Sequence, residues 1–148
     1  MQWSFEKAAV DELSLLIQNP DYNQEVVDLI HYLENYKGFS KDIVTVKSLD
    51  EILVLKRKDI RAVEVDGDYL VIYYQERHIR TRQRLYQFKE KCEDANLVQV
   101  SKQSVINIRH LERMEASFSG NMTAFLTGGL KITVSRRYLK SLEKRLGL

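Results

Sequence analysis

Three cationic side chains in this 148-residue sequence stand where turns or element ends belong. Lys102 lies in "VSKQS", a polar interruption between the apolar "LVQV" and "SVINI", so it should project from a turn rather than from a packed face. Arg136 and Arg137 lie in "KITVSRRYLKSLEKRL". There Ile132 and Val134 alternate with Lys131 and Thr133 as a strand, and Leu139, Leu142 and Leu146 then share one face of a helix. Ser135 occupies the N-cap position between the two. A helix N-terminus carries partial positive charge and favours acidic side chains in its first turn, so two arginines there oppose the macrodipole. A bound phosphate would supply the missing negative charge. Long cations on turns reach base edges or phosphates, and serine hydroxyls and free helix N–H groups add phosphate donors. The chemistry is that of nucleic-acid recognition. On the pattern alone, arginines that simply extend into solvent remain the alternative.

Catalytic chemistry has little to stand on. The chain has no nucleophile elbow, no glycine-rich phosphate loop opening a helix and no paired-histidine metal motif. His31, His78 and His110 are scattered without metal-ligand spacing. His78, in the charged "QERHIRTRQR", reads as a surface residue. The single cysteine, Cys92, cannot form an internal disulfide, and it shares a helix face with Leu85 and Phe88, which makes it a core filler rather than a nucleophile. The expectation is a protein that is not an enzyme, with no cofactor and no metal.

The elements that must position the cations follow from periodicity. "LSLLIQNP", ended by Pro20, suggests a strand and a stop. In "DYNQEVVDLIHYLENYKG", Val26, Leu29, Ile30 and Leu33 recur at helical spacing, with Asp21 near the start, Lys37 in the last turn and Gly38 as C-cap. After "FSKD" come short strand segments, "IVTVKS", "EILVLKR", "DIRAVEV", "YLVIYYQ" and "HIRTR", then a helix in "LYQFKEKCEDA". "LVQV", "SVINI", "LERMEAS", "MTAFLT" and "LKITVS" follow as further strands, the last two joined by a tight turn at Gly128 and Gly129. The fold class expected is α+β, mainly β, with an N-terminal strand-helix extension.

Charge divides the chain in the same place. Residues 1–42 hold three Lys/Arg against eight Asp/Glu, net −5, while residues 43–148 hold twenty against thirteen, net +7. An acidic extension followed by a basic domain is an electrostatic arrangement suited to binding nucleic acid. At 44% hydrophobic residues the chain can build a core, and no apolar run approaches the roughly 18 residues of a membrane span. The start "MQWSFEKAAVDE" lacks signal-peptide character, so a cytoplasmic location is expected.

Order and spacing of several motifs together resemble one family. "VQVSKQSVINIRHLERME", then a hairpin, then "GGLKITVSRRYLKSLEKRL", is similar to the C-terminal half of LytTR-type DNA-binding domains. The resemblance rests on Ile106-Asn107, Gly128-Gly129 and Ser135-Arg136-Arg137-Tyr138, and it extends upstream to cover about residues 43–148. It implies a mostly β domain whose loops enter successive major grooves of double-stranded DNA, in a regulator of transcription.

Carried over by position, the resemblance gives Lys102 and Arg136 base contacts and Arg137 a phosphate. Ser101, Gln103 and Ser135 stand beside them, and Tyr69 with Asp68 stands in a third contact loop, around Gly67, that is acidic here. Asn107 fits the pattern as well, and is read as a buried asparagine closing a turn. Ser101 and Ser104 replace the commoner His and aromatic residues and resemble stand-alone members. Forty-two preceding residues are too few for a receiver domain.

The family therefore implies a stand-alone regulator, with a membrane protein as a possible controlling partner. The N-terminal helix, with Tyr22 and Tyr36 extending its apolar stripe, either packs on its own β domain or forms a surface for a second copy in a homodimer or for a regulatory partner. The rival reading from another class is a protein-interaction module with a basic docking face and no DNA readout.

Overall fold

The computed structural model describes residues 1–36 and 42–148. The chain divides into two compact units, Met1–Gly38 and Phe39–Leu148.

Among the described residues of the first unit one element forms, α1 (Gln24–Glu34). The helical periodicity of Val26, Leu29 and Leu33 was a sound guide to it. Asn23 rather than Asp21 caps it, its side chain accepting from the Val26 N–H at 3.2 Å. The C-cap is Asn35; Lys37 and Gly38, expected in the last turn and at the cap, lie outside the described residues. The strand expected in "LSLLIQNP" is absent: residues 13–19 have no regular structure. Its apolar run has no partner strand to complete a ladder, and Leu13 and Leu16 are more than 80% exposed.

Among the described residues, the second unit contains ten strands, in three sheets, and two α-helices. The central one has five strands, in the order β5 (Arg77–Thr81), β4 (Tyr69–Tyr74), β3 (Ile60–Asp66), β7 (Ser104–Asn107), β6 (Leu97–Gln99), all antiparallel. A hairpin of β1 (Ile43–Ser48) and β2 (Glu51–Lys56) forms a separate two-stranded sheet. The third sheet is a meander of β8 (Leu111–Ala116), β9 (Met122–Leu126) and β10 (Leu130–Val134). Helix α2 (Leu85–Cys92) follows β5, and α3 (Arg136–Arg145) closes the chain.

Both faces of the central sheet are buried, and strand alternation decides which side chain goes where. Val63, Ile72, Ile79 and Val105 join Val44, Val46 and Leu55 of the hairpin and Leu85, Phe88 and Cys92 of α2 in one core. Ala62, Val98 and Ile106 point the other way and pack with Ala124, Leu126, Ile132 and Val134 of the third sheet and Leu142 of α3. The tight β9–β10 turn is as expected. Gly128 there has φ +76°, and a Cβ on it would stand 2.5 Å from Arg61 Nη1, which donates to the Thr127 carbonyl at 2.7 Å.

Candidate nucleic-acid interface

Antiparallel pairing gathers the expected contact loops at one end of the second unit. The β3–β4 turn, Asp66 to Tyr69, lies at the C-terminal end of β3. Glu64 of β3 is paired with Ser104, the first residue of β7, so the Ser101–Gln103 turn that leads into β7 lies at the same end. A backbone bond from Val65 N–H to the Gln103 carbonyl (2.8 Å) ties the two together. Ser135 N–H donates to the Val100 carbonyl at 2.8 Å, which brings in the start of α3. Sequence separations of some 35 residues become single hydrogen bonds.

The Ser101–Gln103 turn is held from within and below. Ser101 Oγ accepts from Gln103 N–H at 3.2 Å, and its carbonyl accepts from Gln99 Nε2 at 3.0 Å. Beneath it the buried Ser104 donates its hydroxyl to Glu64 at 3.2 Å, and Tyr73 donates to the same carboxylate at 3.0 Å. Burial, and then the Glu64 hydrogen bond, raise the Tyr73 phenol above its ordinary value, so the phenol keeps its proton and remains a donor. With the turn fixed this way, Lys102 and Gln103 project into solvent.

At the strand-to-helix junction, Ser135 is the N-cap by position, as expected, but its hydroxyl makes no capping bond. The cap comes from Asn121, in the turn between β8 and β9, whose Oδ1 accepts the Arg136 N–H at 3.0 Å. The first turn of α3 holds no acidic residue. Among the described residues, neither Arg136, Arg137 nor Lys102 takes part in an ion pair. All three are exposed, so a local arrangement of unneutralised positive charge sits at a helix N-terminus and an adjoining turn.

Gly120 explains how Arg136 is aimed. It has φ +79°, and a Cβ built on it would lie 2.9 Å from Arg136 Cδ, so the arginine stem lies against the bare glycine. Gly120→Ala is expected to strain a left-handed backbone by roughly 1–2 kcal/mol and to push Arg136 aside. A fall in duplex affinity larger than the fall in thermal stability, seen by fluorescence anisotropy beside calorimetry, is the expected signature.

The third loop differs from the other two. Gly67 has φ +61° and nothing within 4 Å of its missing Cβ. Tyr69 is 40% exposed, and the Arg80 guanidinium lies 5.0 Å from its ring centroid while donating to Asp66 at 2.5 Å. Arg80 thus offsets the acidic "VDGD". A nearby cleft is lined by Asp68, Arg82 and Arg84. These arginines of "RTRQR", together with Asn121 and Gly120, are parts of the site that the sequence did not single out. The basic run was visible, but its proximity to Tyr69 depends on β4–β5 pairing, in which Val71 meets Arg80.

Residues set apart from the site behave as their sequence context suggested. Asn107 is fully buried; its Nδ2 donates to the Ile60 carbonyl at 2.8 Å, and its Oδ1 accepts from Arg109 N–H at 3.0 Å. Cys92 is fully buried, and burial above all pushes its thiol up to about 12, which suits a core position and not a nucleophile. His78 is exposed and meets the Tyr73 ring edge-on at 4.8 Å. Among the described residues, no cluster of three or more His, Cys, Asp or Glu could hold a metal ion, and no helix is long and apolar enough to cross a membrane.

Exposed cations thus gather on a turn and a helix start at one end of a mainly β domain. The family described as the LytTr DNA-binding domain matches residues 50–147, and this chain belongs to it. Among its relatives, the sensory transduction protein LytR of Streptococcus agalactiae is 27% identical over 110 residues, which cover 74% of this chain and 45% of that protein. The sensory transduction protein LytR of Staphylococcus haemolyticus is 24% identical over 106 residues, 72% of this chain and 41% of the relative. The matched region thus spans less than half of those proteins. A solved LytTr DNA-binding domain from Bacillus cereus superimposes with a TM-score of 0.65 at 17% identity, covering 73% of this chain and 99% of that domain, which shows a shared fold.

Proposed function

We propose that this chain is a regulator of transcription that reads double-stranded DNA by sequence, placing loop residues in successive major grooves. The observation that carries the reading is the convergence of Lys102, on the Ser101–Gln103 turn, with Arg136 and Arg137, at the start of α3, all exposed and without ion pairs among the described residues, on segments anchored by the Ser135–Val100 and Val65–Gln103 backbone bonds. Lys102 and Arg136 read base edges, and Arg137 holds a phosphate. Ser101, Gln103, Ser135 and Tyr69 flank them as donors. Rigid attachment to the central sheet keeps these long side chains in register with the duplex at low entropic cost.

Residues 1–42, net −5, form an acidic extension that precedes the DNA-contacting domain, residues 43–148, in the chain. The protein works as a homodimer, since linking two modules on repeated half-sites multiplies affinity. A cytoplasmic location and control by a membrane-protein partner belong to the same reading.

Binding is expected to weaken steeply with salt, because each phosphate neutralised contributes about −0.9 to the slope of log K against log salt. Anisotropy titrations at several salt concentrations, with duplexes of different sequence and a single strand, test this. A steep slope together with a strong preference for some duplexes supports the reading. Equal weak affinity for every duplex and for single strands would transfer the basic end to the role of a protein-docking face.

A further inference from the structure

The β1–β2 sheet has two edges, and the molecule treats them differently. The Arg57 N–H donates to the Asp42 carbonyl at 2.8 Å, which fixes the phase of the ladder. With Ile43 opposite Lys56 and Thr45 opposite Val54, the odd-numbered residues 51–57 turn their backbone groups toward β1. Even-numbered residues of β2 turn theirs outward, and in β1 the outward groups belong to residues 43, 45 and 47.

The outer edge of β1 is closed by side chains. Thr81 Oγ1 donates to the Lys47 carbonyl at 2.7 Å, and Lys91 Nζ donates to the Thr45 carbonyl. On the outer edge of β2, among the described residues, only the Lys56 N–H is taken, by the Tyr74 hydroxyl at 3.1 Å. Among the described residues, the N–H and C=O of Ile52 and of Val54 have no partner, and no strand pairs with that edge. The side chains above it are apolar and bare: Ile52 is 74% exposed, Val54 60% and Leu49, in the turn, 92%. An open edge carrying β-branched apolar residues templates another strand.

We infer that this edge joins two copies of the chain, β2 against β2 antiparallel about a two-fold axis at Leu53. Strand pairing keeps opposite residues on the same face, so such an axis must pass through a residue rather than between residues. Centred on Leu53, Ile52 of one copy faces Val54 of the other, and these are the residues whose backbone groups point outward. Each Ile52–Val54 pair exchanges both of its hydrogen bonds. Asp50, in the turn just before β2, then comes level with Lys56 of the other copy, so the cation at the end of β2 meets an opposite charge instead of repelling its own copy. This charge match selects a second copy over an unrelated strand. The result is a continuous four-stranded sheet, in which the apolar strips of the two copies cover each other. The inference names a surface for the self-association proposed above and makes no use of the DNA-contacting residues.

The register gives a test on the full chain. Opposite Cα atoms in a hydrogen-bonded antiparallel pair are about 5.5 Å apart, within disulfide reach, whereas residues offset by two lie about 8 Å apart, beyond it. An equimolar mixture of Ile52→Cys and Val54→Cys chains, oxidised with copper–phenanthroline, should therefore form a covalent dimer, while each variant alone should not. The native Cys92 is fully buried and stays out of the reaction. Val54→Lys should weaken self-association in sedimentation by at least about tenfold while leaving affinity for a duplex with a single site unchanged. A monomer at every concentration, self-association indifferent to Val54→Lys, or crosslinking as strong in either variant alone as in the mixture would overturn the inference. Failure of the DNA reading would show separately, as lost duplex preference in the unmodified chain.

Discussion

Replacing Lys102 or Arg136 with alanine is expected to cost roughly 1–3 kcal/mol of binding to the preferred duplex and to relax discrimination at one base position each. Both side chains are exposed and neither has an ion-pair partner among the described residues; Lys102 stands on a turn and Arg136 on the first residue of α3, and each segment is anchored by a backbone hydrogen bond. Their removal should leave the fold intact, and the lost free energy should appear in binding alone. Arg137→Ala should weaken every sequence alike, because a phosphate contact carries no base information. Binding to a panel of duplexes with single-position changes measures both effects. A uniform loss for Lys102→Ala and Arg136→Ala would place those side chains on the backbone instead. Unchanged preference with unchanged affinity would remove them from the interface altogether.

Asn107→Ala should produce the opposite pattern. The side chain is fully buried at the end of β7 and clasps two segments far apart in sequence, donating to the Ile60 carbonyl and accepting from Arg109 N–H. Alanine removes these bonds, together with the longer one from Nδ2 to the Arg57 carbonyl (3.4 Å), and leaves the Ile60 carbonyl, in a fully buried residue, without this donor. A loss of roughly 2–3 kcal/mol of folding stability is expected, read as a lower denaturant midpoint with an unchanged slope. The folded fraction should still prefer the same duplex with the same discrimination. Asn107 lies at the end of β7 away from the Ser101–Gln103 turn, so altered base preference in this variant would mean that the asparagine reports on the DNA site through the strand.

The sequence by itself determined the elements of the second unit and their order. Short segments such as "YLVIYY" and "LKITV" are strands because β-branched and aromatic residues alternate between turn signals. "LYQFKEKC" is a helix because Leu85, Phe88 and Cys92 recur at helical spacing. These are local properties, carried by neighbouring residues, and the resemblance to the LytTr family was legible for the same reason: its motifs are short and their order is preserved.

Local patterning failed where a segment needed a partner. "LSLLIQNP" has the apolar content of a strand and no regular structure, because a strand is stable only when another completes its ladder. Leu146, grouped with Leu139 and Leu142 by spacing, falls at the C-cap of α3 and is exposed.

Only the tertiary structure decided what the cations meet. That Asn121 caps the helix carrying Arg136, that Gly120 lies under the arginine stem, and that Arg80 covers Tyr69 all depend on contacts between residues 11 to 16 positions apart in the chain. The same holds for the difference between the closed edge of β1 and the open edge of β2, which rests on Thr81 of β5 and Lys91 of α2 reaching the β1 carbonyls. Side-chain type sets what a residue can bind. Which groups it reaches is set by strand register, and register is chosen by the packing of both faces of the central sheet, a condition that no stretch of sequence expresses alone.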